Sequence, residues 1–403
     1  MTETVETPEV PAGPETFAEL GIGKDVLEAL DSMGWSTPTL VQAESYALAS
    51  DGSDLIVQAR TGTGKTGAFG IPIVDRIVDD TPGVQALVLA PTRELALQSA
   101  REIGKLAAHK GIRTTAVYGG APIEKQVREL ADGAQIVSGT PGRVLDHLRR
   151  RTLDPSGLKV LVLDEADEML SMGFAKELNA IMELLPKKRQ TLLFSATVDS
   201  PVQRMSKRHM VEPQFLELSG DAVGALGIDH FIYTVTGQNR AGDLVKILEV
   251  EDPESAIIFC NTKAETEQVA ASLQAAGYNA DWLNGDLAQR DREKIMARTR
   301  AEELRFLVAT DVAARGIDVS HLTHVINFSL PEHIEQYIHR TGRTGRAGRT
   351  GTAIALVSPK ELGTLYYLRL QYKIFPKERT LPSAGEERTR REMDRLGMLD
   401  AAI

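Results

Sequence analysis

The sequence has little of two features that often decide the class of a protein, cysteine and long apolar runs. Only one cysteine, Cys260, occurs among 403 residues, which excludes a disulfide framework and a metal cluster built on thiolates. No apolar run approaches the roughly 18 residues that a membrane-spanning helix needs. Residues 1–16 are acidic and proline-rich, and they lack the basic start and apolar core of a signal peptide. These absences favour a protein of the reducing cytoplasm.

Negative charge exceeds positive charge overall, with 56 Asp and Glu residues against 46 Lys and Arg. The net charge is −10, which argues against a protein that covers nucleic acid through charge alone but permits a local cationic cleft. One stretch, "YIHRTGRTGRAGRT" at residues 337–350, nevertheless has arginine at every third position. Glycine and threonine fill the gaps, and they are poor helix formers, so a plain solvated helix does not explain the stretch.

Strand-length apolar runs alternate with helical patterns along most of the chain. Runs such as "DLIVQA", "ALVLA" and "KVLVLD" are apolar on both faces, whereas "RELALQSAREIGKLAAHK" has a period near 3.6. This alternation predicts the α/β class, with mostly parallel sheets covered by helices on both faces. The glycine-rich stretch "SGDAVGALGI" predicts a linker that separates two such domains.

The predicted organisation has five segments. Ser383 and Glu386 fit a capping box, which predicts a short helix in the charged tail, although a linker is the simpler interpretation of that tail. The segments are a disordered lead-in at 1–16, a first domain at 17–218, a linker at 219–228, a second domain at 229–375 and the tail at 376–403.

The stretch "LIVQARTGTGKT" predicts a phosphate-binding loop between a strand and a helix. Small residues let backbone N–H groups close around phosphates, Lys65 reaches the terminal phosphates and the Thr66 hydroxyl ligates Mg²⁺. The strict pattern begins with glycine, where this chain has Ala59, a residue still small enough for a tight approach. The loop comprises Ala59, Arg60, Thr61, Gly62, Thr63, Gly64, Lys65 and Thr66.

The stretch "KVLVLDEADEML" supplies the acidic partner of that loop. Asp164 ends an apolar strand and Glu165 follows it directly. An aspartate in this position can hold Mg²⁺, and the next carboxylate can orient and deprotonate an attacking water. Alone, the acidic cluster could be a helix N-terminus stabilised by the dipole, but the phosphate loop upstream favours catalysis.

With these motifs the chain resembles the DEAD-box ATP-dependent RNA helicases of superfamily 2, in their bacterial-type minimal core, over about residues 17–375. The resemblance implies two RecA-like domains joined by a flexible linker, ATP and Mg²⁺ as cofactors, and RNA as the partner. "GWSTPTLVQ" resembles the family's adenine motif, in which the Gln42 carboxamide reads the base. Phe17, where the family has an isolated aromatic residue, or alternatively Trp35 would stack on adenine.

The resemblance also implies the RNA contacts, made in a sequence-independent way with single strands and short duplexes. The contacts of the first domain follow predicted strands, and open α/β sheets bind ligands at the ends of their strands. Ordinary turns would explain any one of these motifs alone. The implied set is Pro91, Thr92, Arg93, Gly119, Gly120, Thr140, Pro141, Gly142 and Arg143 in the first domain, and Thr262, Arg292, Thr310 and Asp311 in the second.

The family's pattern assigns the arginine-rich stretch to the nucleotide. Arg343 and Arg346 would be arginine fingers on the γ-phosphate, and Gly316 and Asp318 would approach the ribose. Asp167, Ser195, Thr197, His339 and Arg340 would couple the nucleotide and RNA sites, His339 and Arg340 by binding the acidic motif across the cleft. Residue chemistry alone leaves Ser195 and Thr197 equally suited to capping a helix.

The expected activity is non-processive unwinding of short RNA duplexes, driven by RNA-stimulated ATP hydrolysis and interdomain closure. An ATP-dependent RNA clamp with little unwinding is the alternative, since its motifs are the same. Neither the RNA target nor the pathway follows from the sequence; protein partners or sequence beyond Ile403 would have to supply specificity. Cys260 is expected to be a small buried residue of a strand rather than a nucleophile.

Overall fold

The computed structural model describes residues 14–59, 62–77, 83–218, 227–314, 322–345, 350–383 and 385–386. These residues fall into two compact units, one within Met1–Ser219 and one within Gly220–Ile403. Each unit contains, in its described residues, a sheet of seven parallel strands. Among the described helices, none has the length and apolar character that crossing a bilayer requires.

The first unit alternates helices and strands, as predicted. A 3-10 turn, Phe17–Leu20, precedes them. The helices are α1 Lys24–Ser32, α2 Leu40–Asp51, α3 Lys65–Arg76, α4 Arg93–Leu106, α5 Ile123–Ala131, α6 Pro141–Arg149, α7 Ala166–Ser171, α8 Ala175–Leu184 and α9 Ser200–His209. The strands are β1 Leu55–Gln58, β2 Ala86–Leu89, β3 Thr114–Val117, β4 Ile136–Gly139, β5 Val160–Asp164, β6 Gln190–Ser195 and β7 Gln214–Glu217.

The first sheet has the order β3-β4-β2-β5-β6-β1-β7. Its central strands bury both faces, which explains their continuous apolar sequences. In β1, for example, Leu55 and Val57 belong to one core and Ile56 belongs to the core on the other face. The register pairs Leu55 with Leu192 of β6, so the carboxyl ends of these neighbouring strands lie at one edge of the sheet.

The second unit repeats this architecture. Its helices are α10 Arg240–Glu251, α11 Lys263–Ala275, α12 Gln289–Arg300, α13 Asp311–Ala314, α14 Ile334–Thr341 and α15 Leu362–Tyr372, with a 3-10 turn at Pro359–Glu361. Its strands are β8 Ile228–Thr234, β9 Ala256–Cys260, β10 Ala280–Leu283, β11 Phe306–Thr310, β12 His324–Asn327, β13 Gly351–Val357 and β14 Lys377–Arg379, in the order β10-β11-β9-β12-β13-β8-β14. Cys260 is fully buried at the end of β9, as expected.

The structure differs from the predicted segments at both ends of the second unit. Strand β8 begins at Ile228, the last residue assigned to the linker. Lys377–Arg379 is a strand that pairs with β8, so the sheet extends past residue 375 into the predicted charged tail. The capping box of that tail is present, because the Ser383 N–H and hydroxyl both donate to Glu386 Oε2, at 2.7 and 2.8 Å. Residues 387–403 lie outside the described residues.

Candidate active site

The candidate motifs of the first unit lie at the carboxyl ends of adjacent strands. The phosphate loop follows β1, Asp164 ends β5 and Ser195 ends β6, and these three strands are neighbours in the order β5-β6-β1. The Ala59 N–H donates to the Ser195 carbonyl at 2.9 Å, which ties the start of the loop to the end of β6. We call this edge, formed by β5, β6 and β1, the nucleotide end of the sheet.

The phosphate loop depends on Gly64, the residue before α3. Its φ of +91° lies in the left-handed region that glycine tolerates best. A Cβ atom there would lie 2.8 Å from Gln42 Nε2 and 2.9 Å from Thr39 Oγ1, closer than atoms normally approach. The close approach of α2 to the loop therefore requires a residue without a side chain. Arg60 and Thr61 lie outside the described residues.

Gln42 already has partners within this end of the sheet. Its Oε1 accepts from the Thr39 N–H at 2.9 Å and its Nε2 donates to the Gly64 carbonyl at 3.2 Å. The Gln42 side chain therefore holds the phosphate loop. Adenine recognition by the second amide hydrogen and the second lone pair of the amide oxygen stays a prediction. Phe17 lies in the apolar core and is 4 % exposed, so its ring offers little surface to a base. Trp35 is only partly buried, and its ring can still offer a face.

Three buried charged groups meet at the nucleotide end. Lys65, Asp164 and Glu165 are 7 %, 4 % and 5 % exposed. Within the described part of the chain, Lys65 Nζ, Asp164 Oδ1 and Glu165 Oε2 have no hydrogen-bond partner. Burial raises the pKa of Asp164 to about 7, against the opposing effect of the Lys65 charge. Buried polar groups normally have partners, so these three atoms indicate a site for a charged ligand.

The backbone at Glu165 is strained. Its φ is +52°, a value that costs roughly 1–3 kcal/mol for a residue other than glycine. The residue sits between the last residue of β5 and the first of α7. Such strain persists where the surroundings impose it, and it holds this carboxylate beside Asp164 at the strand end.

Asp167 connects the acidic motif to the end of β6. Its Oδ2 accepts from the Thr197 N–H at 2.9 Å and from the Thr197 hydroxyl at 3.0 Å. Its own N–H donates to Ser195 Oγ at 3.2 Å. Asp167 thus contacts both Ser195 and Thr197, and neither hydroxyl caps α9, whose cap is Asp199.

The other half of the same edge brings together the motifs predicted to contact RNA. Strands β3, β4 and β2 are neighbours, and Gly119–Gly120, Thr140–Arg143 and Pro91–Arg93 follow them in that order. We call this edge, formed by β3, β4 and β2, the RNA end. The exposed N–H groups of a helix start suit the phosphates of a nucleic-acid backbone, and α4 and α6 both start here.

Two arginines at the RNA end are held in place. The Arg93 guanidinium lies 4.8 Å from the centre of the Tyr118 ring, and a Cβ on Gly120, whose φ is +79°, would come within 3.3 Å of it. Arg143 Nη1 donates to the Ala121 carbonyl at 3.1 Å and to Gln126 Oε1 at 3.0 Å. Sequence reasoning missed Gln126, because a single glutamine in an amphipathic helix is typical of a surface position.

In the second unit, the residues predicted to contact RNA lie near the ends of β9 and β11. Thr262 is exposed and caps α11 by accepting from the Glu265 N–H at 3.2 Å. Arg292 Nη2 donates to the Ala313 carbonyl at 2.7 Å, which fixes α12 against α13. Thr310 is partly buried at the end of β11, and Asp311 follows it.

Arg340 does not have the predicted role of binding the acidic motif of the first domain. It is 1 % exposed, and all five of its N–H donors have acceptors within the second unit. Nε and Nη2 form a two-bond pair with the Asp311 carboxylate, each at 2.6 Å. The remaining donors reach Asn327 Oδ1, the Ser329 carbonyl and Asn261 Oδ1. Arg340 is therefore an internal support for Asp311 and for the end of β9.

Arg340→Ala is expected to lower the unfolding free energy of the second unit by about 3–5 kcal/mol, because it removes the two-bond partner of Asp311 in a largely buried site. Trp282 lies in this unit and Trp35 in the other, so Trp35→Phe leaves one fluorophore to follow urea unfolding. Arg298→Ala is the control: it removes a more exposed pair with Asp281 and should cost about 1 kcal/mol or less. Equal losses for both variants would contradict a central role for Arg340.

The other predicted residues of the arginine-rich stretch fall only partly within the described residues. His339 is partly buried on α14, and Arg343 is 7 % exposed just beyond the end of that helix. Arg346, Gly316 and Asp318 lie outside the described residues. The nucleotide roles of these residues therefore stay predictions.

Comparison with known proteins shows which family profiles match this chain and which proteins resemble it. The profile of the DEAD/DEAH box helicases matches residues 39–205, and that of the helicase conserved C-terminal domain matches residues 239–348. The DEAD-box ATP-dependent RNA helicase CshA of Geobacillus kaustophilus is 42 % identical over 88 % of this chain and 76 % of its own length. The CshA helicase of Listeria monocytogenes is 44 % identical over 88 % of this chain and 68 % of its own. The solved structure of S. cerevisiae Dbp5 bound to RNA and ADP BeF3 shares 29 % identity, with a TM-score of 0.85 over 94 % of this chain and 99 % of that one.

Proposed function

Because this chain belongs to the DEAD-box family of ATP-dependent RNA helicases, we propose that it unwinds short RNA duplexes non-processively, by ATP hydrolysis that RNA stimulates. Its general activity, ATP-dependent action on RNA, is that of the family. The observation that supports the finer proposal is the shared edge of the first sheet. The nucleotide end and the RNA end adjoin there, and β2 and β5 are the neighbouring strands that join them.

The nucleotide end supplies the groups for hydrolysis. Lys65 is the buried cation for the β- and γ-phosphates, and Glu165 is the base that orients a water and takes its proton. The unpartnered oxygens of Asp164 and Glu165 fit a divalent cation and its water, so Thr66 and Asp164 would hold Mg²⁺. That ion would neutralise charge on the phosphates.

At the RNA end, we propose that helix starts and the arginines Arg93 and Arg143 bind phosphates and 2′-OH groups without reading bases. Helix α6 begins at Pro141 within this surface and would bend the bound strand, which would expel its partner. Asp167, Ser195 and Thr197 are proposed to couple this surface to the nucleotide, since their hydrogen bonds join the acidic motif to the end of β6.

We propose that the second domain completes the site when ATP and RNA draw the two domains together. Arg343 and Arg346 would then stabilise the charge that develops on the γ-phosphate, with His339 beside the acidic motif. Phosphate release would reopen the domains. The two domains of this proposal are residues 17–218 and 228–379, the second extended to include all of β8 and β14.

Two assays on the purified chain test the function. Single-stranded RNA should increase the steady-state ATPase rate, and a short RNA duplex should be unwound over several turnovers with ATP. An ATPase rate that does not change when RNA is added would refute the proposal. RNA-dependent ATP binding with a long-lived RNA complex and no multiple-turnover unwinding would instead identify an RNA clamp. The RNA target, protein partners and a cytoplasmic location stay predictions.

Lys65→Ala is expected to weaken ATP binding on the order of 100-fold, because truncating one member of a buried charge pair typically costs about 2–5 kcal/mol. The measurement is a fluorescence titration with an ATP analogue. Lys24→Ala is the control, because the Lys24 side chain is 87 % exposed and, among the described residues, pairs only with Glu28 on the helix surface. An unchanged affinity in the Lys65 variant would refute the assignment of the phosphate loop.

A further inference from the structure

A glutamine that belongs to none of the predicted motifs lies at the centre of the RNA end. Gln126 is on α5 and is only 3 % exposed. Its Oε1 lies 3.0 Å from Arg143 Nη1 and 3.1 Å from His147 Nε2. Its Nε2 donates to the Tyr118 carbonyl at 3.0 Å, immediately before Gly119. One side chain thus bridges the loop after β3 and the helix after β4.

The orientation of this amide follows from its neighbours. The Arg143 guanidinium has only donors, so the atom that faces it must be the amide oxygen. The carbonyl of Tyr118 only accepts, so the atom that faces it must be the amide nitrogen. No other rotation of the amide satisfies both contacts. The amide oxygen of Gln126 therefore accepts hydrogen bonds from both Arg143 and His147.

His147 extends the hydrogen-bond network of Gln126 away from the RNA end. The ring is fully buried, and because Gln126 Oε1 accepts, Nε2 must carry the proton. Nδ1 then accepts from the Thr152 hydroxyl at 2.8 Å. Burial, and secondarily the Arg143 charge, lower the pKa of His147, which keeps the ring neutral with this tautomer. A buried imidazole with both nitrogens satisfied provides a rigid support behind Gln126.

We propose that Gln126 is the positioning residue that fixes Arg143 for the RNA backbone and ties it to the loop that carries Gly119 and Gly120. The inference rests on the proposed function, because it takes Arg143 to contact RNA. Both hydrogens of Arg143 Nη1 are used by the Ala121 carbonyl and Gln126. Among the described residues, Arg143 Nε and Nη2 have no acceptor and stay available to a phosphate. Binding RNA then costs little side-chain entropy, because the guanidinium is already held.

The test compares Gln126→Met with wild type. Methionine keeps the length and apolar stem of the side chain and removes all three hydrogen bonds. We expect the oligouridine concentration that half-saturates the ATPase to rise about tenfold, with the KM for ATP unchanged. Gln126→Glu keeps an oxygen for Arg143 and His147 but places a second oxygen against the Tyr118 carbonyl, so it should lose less RNA affinity than Gln126→Met without matching wild type. Gln203→Leu is the control, since Gln203 is exposed on α9 and its side chain, among the described residues, bonds only to the Val198 carbonyl.

A double-mutant cycle separates positioning from general damage. Arg143→Ala should itself weaken RNA binding, and adding Gln126→Met to it should have almost no further effect, because Gln126 acts through Arg143. A Gln126→Met effect that adds in full to that of Arg143→Ala would overturn the proposal, as would a Gln126→Met variant with normal RNA affinity. If Gln126→Met does not fold, the same cycle with Gln126→Ala decides: a loss that disappears in the Arg143→Ala background supports the proposal, and normal affinity or a fully additive loss overturns it.

One further measurement distinguishes this inference from the function on which it rests. The ¹⁵N signals of the His147 ring, assigned through a His147→Leu variant, should report the neutral Nε2–H tautomer in the absence of RNA. An Nδ1–H tautomer would show that the network itself is wrong. If the tautomer is as expected but Arg143→Ala binds RNA normally, then the RNA end has been assigned incorrectly, and the role of Gln126 in RNA binding is refuted with it.

Discussion

Glu165→Gln is expected to bind ATP and RNA normally and to hydrolyse ATP about 10²–10⁴-fold more slowly. The amide keeps the shape of the side chain and loses the basic oxygen, and general-base catalysis typically contributes a factor of that size. The position supports this role, because Glu165 is buried beside Asp164, with one oxygen unpartnered among the described residues and a strained backbone that holds it there. The measurements are single-turnover hydrolysis and RNA binding in the presence of ATP.

A matched variant shows whether this effect is local. Glu183→Gln makes the same chemical change at an exposed site on α8, where the carboxylate pairs with Arg208, and should leave both hydrolysis and RNA binding unchanged. Failure of Glu165→Gln to bind RNA when ATP is present would indicate that the side chain supports the fold of the site. Glu165 could not then be assigned as the base.

Arg343→Ala and Arg346→Ala are expected to lower the hydrolysis rate on the order of 10³-fold or more while changing ATP affinity much less, since an arginine finger acts on transition-state charge. Lysine should restore little activity, because it lacks the planar fork that engages phosphate oxygens in pairs. Steady-state ATPase rates at saturating single-stranded RNA, measured beside nucleotide binding, give both quantities. Arg340 and Arg343 are only three residues apart, but the expected defects differ. Arg340→Ala should lower the unfolding free energy, because Arg340 bonds within the second unit, whereas Arg343→Ala should lower the hydrolysis rate.

Arg349 provides the internal comparison for the arginine fingers. It continues the spacing of every third residue but lies beyond the part of the motif that the family directs at the nucleotide. Arg349→Ala should therefore cost much less activity. If the alanine variants at 343, 346 and 349 lost activity equally, or lost ATP affinity in proportion to rate, the stretch would be a general basic surface and the finger assignment would be wrong.

The central strands of both sheets were predictable from the sequence, whereas two strands at the edges were missed. Central strands bury both faces, so they appear as continuous apolar runs such as "KVLVLD". The missed strands β7 and β14, with sequences "QFLE" and "KER", lie at the edges of their sheets. An edge strand has a neighbour on one side only and tolerates polar residues, so hydrophobic pattern alone does not reveal it.

The site was predictable where a motif follows a strand, because topology then places its residues at one edge. The direction in which a side chain points was harder to predict from the sequence. The spacing of arginines at every third position did not show which of them is buried, and Arg340 lies on the buried face of α14, three residues after the fully buried Tyr337. Helical spacing from that aromatic residue is the signal that would have placed Arg340 inside. Gln126 carried no signal, because its role arises from three partners brought together only by the fold.

The order of strands in the first sheet also has a consequence for folding. The chain leaves the nucleotide end after β1, forms the whole RNA end within one continuous segment, β2 to β4, and returns with β5. Lys65 and Asp164 can therefore come together only by closing a loop that contains the complete RNA end. Closing so long a loop is entropically costly, and contacts between distant residues tend to form late. We expect ATP-binding competence to appear only in the last refolding phase of this unit, after β2, β3 and β4 have acquired protection against hydrogen exchange.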